Sequence, residues 1–146
     1  MDPTCTAAFA AATLALWAKG MIVSWAQVAF RLRGRTMVRA EDARLLKVAP
    51  AAAEDPRVQR LDAVWRNELE ASPATVAIAA AYVLAGGDHA AFPWALAFYV
   101  AARFAQGASQ YGQLQPARTL TWLAGVGSGM LIASLLAARL VADWRG

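Results

Sequence analysis

The chain is built from long apolar runs separated by short polar ones, and the runs reach the length of a membrane-spanning helix. Residues 119–138 are uncharged over 20 positions, and a spanning helix needs about 20 apolar residues. Residues 3–30 are apolar apart from Lys19, residues 71–87 carry no charge, and residues 89–117 are broken only by Arg103. The pattern predicts an all-α integral membrane four-helix bundle, a single domain over residues 1–146, with helices over about 6–33, 56–84, 92–110 and 117–144. The intervening loop, 34–55, is expected to be partly irregular. Asp55-Pro56 marks the second helix start, with Asp at the N-cap and Pro at the first helical position. Gly86-Gly87 ends that helix, and Pro73 inside it predicts a kink, because neighbouring groups in a membrane bundle can satisfy the freed carbonyl.

Polar residues inside these runs carry the chemistry. Residues 57–70 feed without a break into the uncharged 71–87 segment, although a single Asp or Arg at a bilayer-centred position costs about 2.5–3.5 kcal/mol. Such charges must pair or bind something. On a helical wheel Arg60, Arg66, Asn67 and Glu70 share an arc of about 120°, with Ala63, Ala74 and Ala77 beside them, whereas Arg57 and Glu68 lie elsewhere. A face with cations, an amide, a carboxylate and small residues suits a small anionic ligand bearing amine and amide groups. An Arg66–Glu70 pair at i, i+4 that neutralises itself is the structural alternative. In the third helix Arg103, Gln106, Gly107 and Gln110 recur at i, i+3, i+4 and i+7. The glutamines are explained by hydrogen bonding between helices, but Arg103 still needs an anion, for which Glu70 or a ligand carboxylate is the expected partner. Ser24, Gln27 and Arg31 share a face of the first helix, and Arg118 opens the fourth. In the fourth, Gly125 and Gly129 permit close helix approach.

Composition agrees with the pattern. The chain is 59% hydrophobic and 16% charged, against roughly 45–50% and 25% in soluble domains. A soluble helical protein with an alanine-rich core is the alternative. Trp94 and Trp144 near helix ends fit interfacial aromatic belts. The N-terminus lacks a basic n-region and Lys19 interrupts its apolar run, so a signal peptide describes it poorly. The net charge of +4 is unevenly spread: Arg31, Arg33, Arg35, Arg39, Arg44, Lys47, Arg57, Arg60 and Arg66 cluster around the 34–55 loop. The positive-inside rule makes that loop cytoplasmic and puts both termini on the opposite side. Topology explains these charges more simply than nucleic-acid binding, so no nucleic-acid partner is expected. One cysteine, Cys5, and one histidine, His89, exclude a disulfide framework, a thiolate or His-based metal centre and a Ser-His-Asp relay within one chain.

The polar motifs, taken in order, resemble the MAPEG family, membrane-associated proteins of eicosanoid and glutathione metabolism. The family's Val-Glu-Arg element and the Arg-Asn-Asp-x-Glu run of its second helix are matched by Val58-Gln59-Arg60 and Arg66-Asn67-Glu68-Leu69-Glu70. Ala40-Glu41-Asp42-Ala43 resembles the Pro-Glu-Asp element of the preceding loop. Arg103 matches the third-helix arginine, Gln115-Pro116-Ala117-Arg118 resembles the Gln-Pro-x-Arg of the microsomal glutathione transferase branch, and Lys19 and Arg31 match first-helix positions.

The resemblance implies a homotrimer in membrane lipid that binds glutathione as co-substrate between neighbouring subunits and acts on lipophilic small molecules. It makes Arg31, Arg60, Arg66, Asn67, Glu70, Arg103, Gln110 and Tyr111 the candidate glutathione contacts. Arg118 becomes the candidate catalytic residue, stabilising the thiolate. A thiol with pKa near 8.5 is a weak nucleophile at neutral pH until nearby positive charge favours its thiolate, and arginine supplies that charge without losing its own proton. The chain departs from the family pattern at Ala63, Trp65, Gln106 and Gly107. Gln110 stands where the family has tyrosine, although a one-residue shift would supply Tyr111. A non-catalytic or lipid-binding member and an enzyme using another low-molecular-weight thiol are the competing readings.

Overall fold

The structure, a computed structural model, describes residues 2–145. It contains four long helices and a short one: α1 Pro3–Gly34, α2 Ala40–Leu45, α3 Pro56–Leu84, α4 Ala91–Tyr111 and α5 Ala117–Arg145. The short turns joining α3, α4 and α5 make neighbours antiparallel. Residues 34–55, read as partly irregular, hold α2, whose Ala43 is fully buried.

Local chemistry sets the helix ends. Asp2 Oδ1 accepts from Cys5 N at 2.8 Å and Asp55 Oδ1 accepts from Arg57 N at 2.7 Å, each beside a proline at the first helical position. These are the positions where an N-terminal helix has amide donors to satisfy and where Pro costs nothing. α1 stops at Arg35, whose φ of 49° is left-handed. α3 continues through Pro73.

The inner face of α3 is Val58, Leu61, Val64, Glu68, Ser72 and Ala79. It lies opposite the arc carrying Ala63, Arg66, Glu70, Ala74 and Ala77, all of which are exposed on this single chain. One apolar core, toward the chain termini, gathers Cys5, Leu16, Tyr82, Phe92, Tyr99 and Ile132. A smaller one joins Val23, Leu61 and Val64, with Trp65 and Tyr111 against it. Glycines allow the closest approaches. A Cβ on Gly20 of α1 would stand 3.0 Å from the Trp65 ring, so Trp65 is an α1–α3 packing residue. Gly129 of α5 abuts Thr75 of α3 and Gly125 abuts Arg103 of α4, so this small-residue pair serves packing within the bundle.

Gly87 closes the turn after α3 directly over the buried Tyr82 ring, whose hydroxyl accepts from His89 N at 2.9 Å. A Cβ there has no room. Gly87→Ala is expected to lower stability by about 1–3 kcal/mol through overpacking, read as a fall in thermal midpoint in detergent. An unchanged midpoint would contradict this packing.

Helices α1 and α5 are long and apolar enough to cross a membrane. Their outward faces carry Leu14, Trp17, Ile22 and Trp25 on α1 and Leu123, Met130 and Leu131 on α5, all well exposed. α3 is the most polar of the four long helices, since its first half carries Arg57, Arg60, Asp62, Arg66, Glu68 and Glu70.

Candidate functional site

At mid-bundle a buried ionic cluster joins three helices. Glu68 of α3 accepts from Lys19 of α1, from Ser72 one turn on, and from Arg103 of α4, whose Nη2 lies 3.1 Å from Oε2. Lys19, Glu68 and Arg103 are 6%, 8% and 3% exposed, so these charges are shielded from water. Lys19 also donates to the Arg103 carbonyl at 2.6 Å. The Tyr99 hydroxyl lies 3.3 Å from Ser72 Oγ and donates to the Ala71 carbonyl at 3.3 Å. Gly107 makes this possible: a Cβ there would press on the Lys19 stem at 3.2 Å.

This cluster corrects one expectation. The anion for Arg103 is Glu68, which the wheel sets apart, and not Glu70, which is exposed on the opposite face. The apolar residues of α3 explain why. Leu61, Val64 and Ala79 share the face of Glu68, and burying that stripe takes Glu68 inward with it. Lys19 on α1 is the cation that the sequence left without a role. Arg103, read as a ligand contact, is engaged on all sides, by Glu68, Asn67 and Gln106.

The remaining candidates divide between two sides of α3. Toward α1 and the loop, a cleft of about 720 Å³ is lined by Arg31, Arg39, Glu54, Asp62, Ala63 and Arg66. Two of its three cations are already paired: Arg31 grips Glu54 at 2.9 and 2.7 Å, and Arg66 meets Asp62 at 2.5 Å, while Arg39 has no carboxylate partner among the described residues. Toward α4 and α5, a cleft of about 480 Å³ brings together Arg60, Ala63, Gln110, Gln115 and Arg118. A contiguous one of about 260 Å³ adds Asn67, Gln106 and Trp122 to Gln115 and Arg118. Among the described residues neither Arg60 nor Arg118 has a carboxylate partner. Tyr111 turns away and packs against Val23, Leu61 and Val64, so Gln110, not its neighbour, faces the cleft. Thus Arg60, Asn67, Gln110 and Arg118 converge, Arg31 and Arg66 meet on the other side, and Glu70 stands on the exposed face between.

Chemically, the second site offers two unpaired guanidinium groups and several amides in a cleft at one end of the bundle, where α3 and α5 begin and α4 ends. Forked donors of this kind recognise carboxylates and stabilise developing anions. Above it lies an apolar groove of about 330 Å³, lined by Ala74, Ile78, Tyr99, Val126 and Met130, and Trp122 borders both spaces.

Residues 9–138 match the MAPEG family, and the chain belongs to it. Comparison with individually curated proteins finds no match. Family membership together with the apolar α1 and α5 makes this a membrane protein, with its four long helices as the bundle.

Proposed function

We propose that the protein is a membrane glutathione transferase or peroxidase that activates the thiol of glutathione for attack on lipophilic electrophiles. The observation that carries this reading is the convergence of Arg60, Gln110 and Arg118 on one cleft with both cations unpaired. Glutathione has two carboxylates for such cations and an anionic sulfur when activated. Arg118 is assigned to the sulfur, since its cleft opens past Trp122 toward the apolar groove from which an acceptor would arrive. The thiolate then forms a C–S bond to an electrophilic carbon as a leaving group such as halide departs. With a hydroperoxide, two glutathiones become disulfide as the O–O bond breaks.

The split of candidates across α3 favours a homotrimer. A neighbour's Arg31–Arg66 side brought against the Arg118 side would complete the set, and it would cover Glu70 and the alanines around it. In this reading the loop 34–55 faces the cytoplasm and both termini lie across the membrane.

A non-catalytic, lipid-binding member is the second reading, favoured by the complete use of Arg103 inside the bundle. Titrating glutathione into the detergent-purified protein, while following thiolate absorbance and conjugation of an aryl halide, separates the two. Saturable binding with conjugation is expected. No binding at millimolar glutathione would sink the transferase reading, and activity with only a different thiol would reassign the co-substrate.

A further inference from the structure

We infer that Gln106 is a ligand-binding residue whose amide is turned by Arg103 to donate to the same anionic sulfur that Arg118 holds, with Glu68 and Lys19 as positioning residues behind it. The inference deepens the thiol-activation reading and rests on it.

Arg103 has only donors, so an amide against it must present its carbonyl. Nη1 donates to Gln106 Oε1, and Nη2 donates to Asn67 Oδ1 at 2.9 Å and to the Asn67 carbonyl at 3.0 Å. Each side-chain amide therefore turns its NH₂ end away from Arg103. Both residues line the 260 Å³ cleft that Arg118 also lines. Gln106 is only 2% exposed, and its Nε2 has no acceptor among the described residues. That nitrogen is not enclosed by protein, so it is free to donate to a ligand anion in the cleft.

The charges behind the amides point the same way. Lys19 and Arg103 against Glu68 leave one excess positive charge. In a low-dielectric interior such an excess favours an anion at the adjoining cleft. Glu68 holds two of the Arg103 nitrogens, and through them the guanidinium plane that sets both amides.

Gln106→Glu tests this. A carboxylate still accepts from Arg103, so the fold is retained, but its second oxygen is an acceptor where the NH₂ had been a donor. The expected result is a thermal midpoint no lower than wild type, together with an upward shift of about 1 pH unit or more in the midpoint of bound-thiolate absorbance, since hydrogen bonds to a charged form favour it and like charge opposes it. Gln106→Met, of similar length without either polar end, carries the test if Gln106→Glu does not fold, and it is expected to shift the midpoint the same way by less. An unchanged thiolate midpoint in the folded variant overturns the inference while leaving the transferase reading standing. A wild-type protein that binds no glutathione overturns both.

Discussion

Glu68→Gln is expected to be among the most destabilising single substitutions in the chain, costing about 3–5 kcal/mol, the range for breaking a buried pair and stranding its partner. The wild-type cluster holds two cations and one anion. Removing the carboxylate leaves Lys19 and Arg103 facing each other with twice the excess charge and no counter-ion. Lys19 and Ser72 donate to different oxygens of Glu68, and glutamine keeps only one acceptor oxygen, so one of the two meets an NH₂ donor in place of its partner. The readout is thermal unfolding and monodispersity in detergent. Combining Glu68→Gln with Lys19→Met returns the cluster to a single excess cation, so the double variant is expected to be more stable than Glu68→Gln alone. Additive losses would show that the two side chains do not interact, and the cluster described above would then be wrong.

The same cluster shows where sequence reasoning reaches and where it stops. The four long helices were legible because apolar length and helix-end chemistry are local properties. Asp55-Pro56 marks the start of α3 and the uncharged run 119–138 lies inside α5, with no knowledge of neighbours required. The partner of Arg103 was not legible in the same way. A wheel sorts the polar residues of α3 into faces but does not say which face is inside, and the ligand-like grouping of Arg60, Arg66, Asn67 and Glu70 leaves Glu68 as an outsider with no assigned partner. The signal was present: Leu61, Val64 and Glu68 follow one another at i, i+3 and i+7, with Ser72 one turn further. Reading the apolar positions before the polar ones would have put Glu68 inside, where a lone carboxylate calls for the otherwise unexplained Lys19.

The division of the binding candidates was hidden for a different reason. Arg31, Arg66 and Arg118 lie at the same end of the bundle, and sequence alone suggests that equal depth means one site. Depth does not fix azimuth. The structure puts Arg31 and Arg66 on one flank of α3 and Arg60 and Arg118 on the other. Tyr111 illustrates the same point one residue at a time. A 100° step along α4 separates a side chain in the cleft, Gln110, from one packed against α1 and α3.

Arg118→Ala is expected to leave the fold alone and remove most of the activity. Arg118 is exposed, sits in the first turn of α5 and has no ion pair among the described residues, so its loss should change stability by no more than about 0.5 kcal/mol. Its contribution falls on the sulfur anion, which exists only once the thiol has ionised. Loss of one well-placed donor to a developing anion costs roughly 10²–10³ in rate, and that range is expected here for conjugation at neutral pH. The pH profile distinguishes this role from simple binding. If Arg118 stabilises the thiolate, raising the pH supplies the anion by another route, and the variant recovers part of its deficit as solution pH approaches the ordinary thiol range near 8.5. If Arg118 serves only to hold a carboxylate, the loss appears as weaker glutathione binding and stays constant across that range. Arg118→Lys should fall between, keeping the charge without the fork. Full activity in Arg118→Ala would reassign the sulfur contact, and Arg60, the other unpaired cation in the cleft, would be the next residue to change.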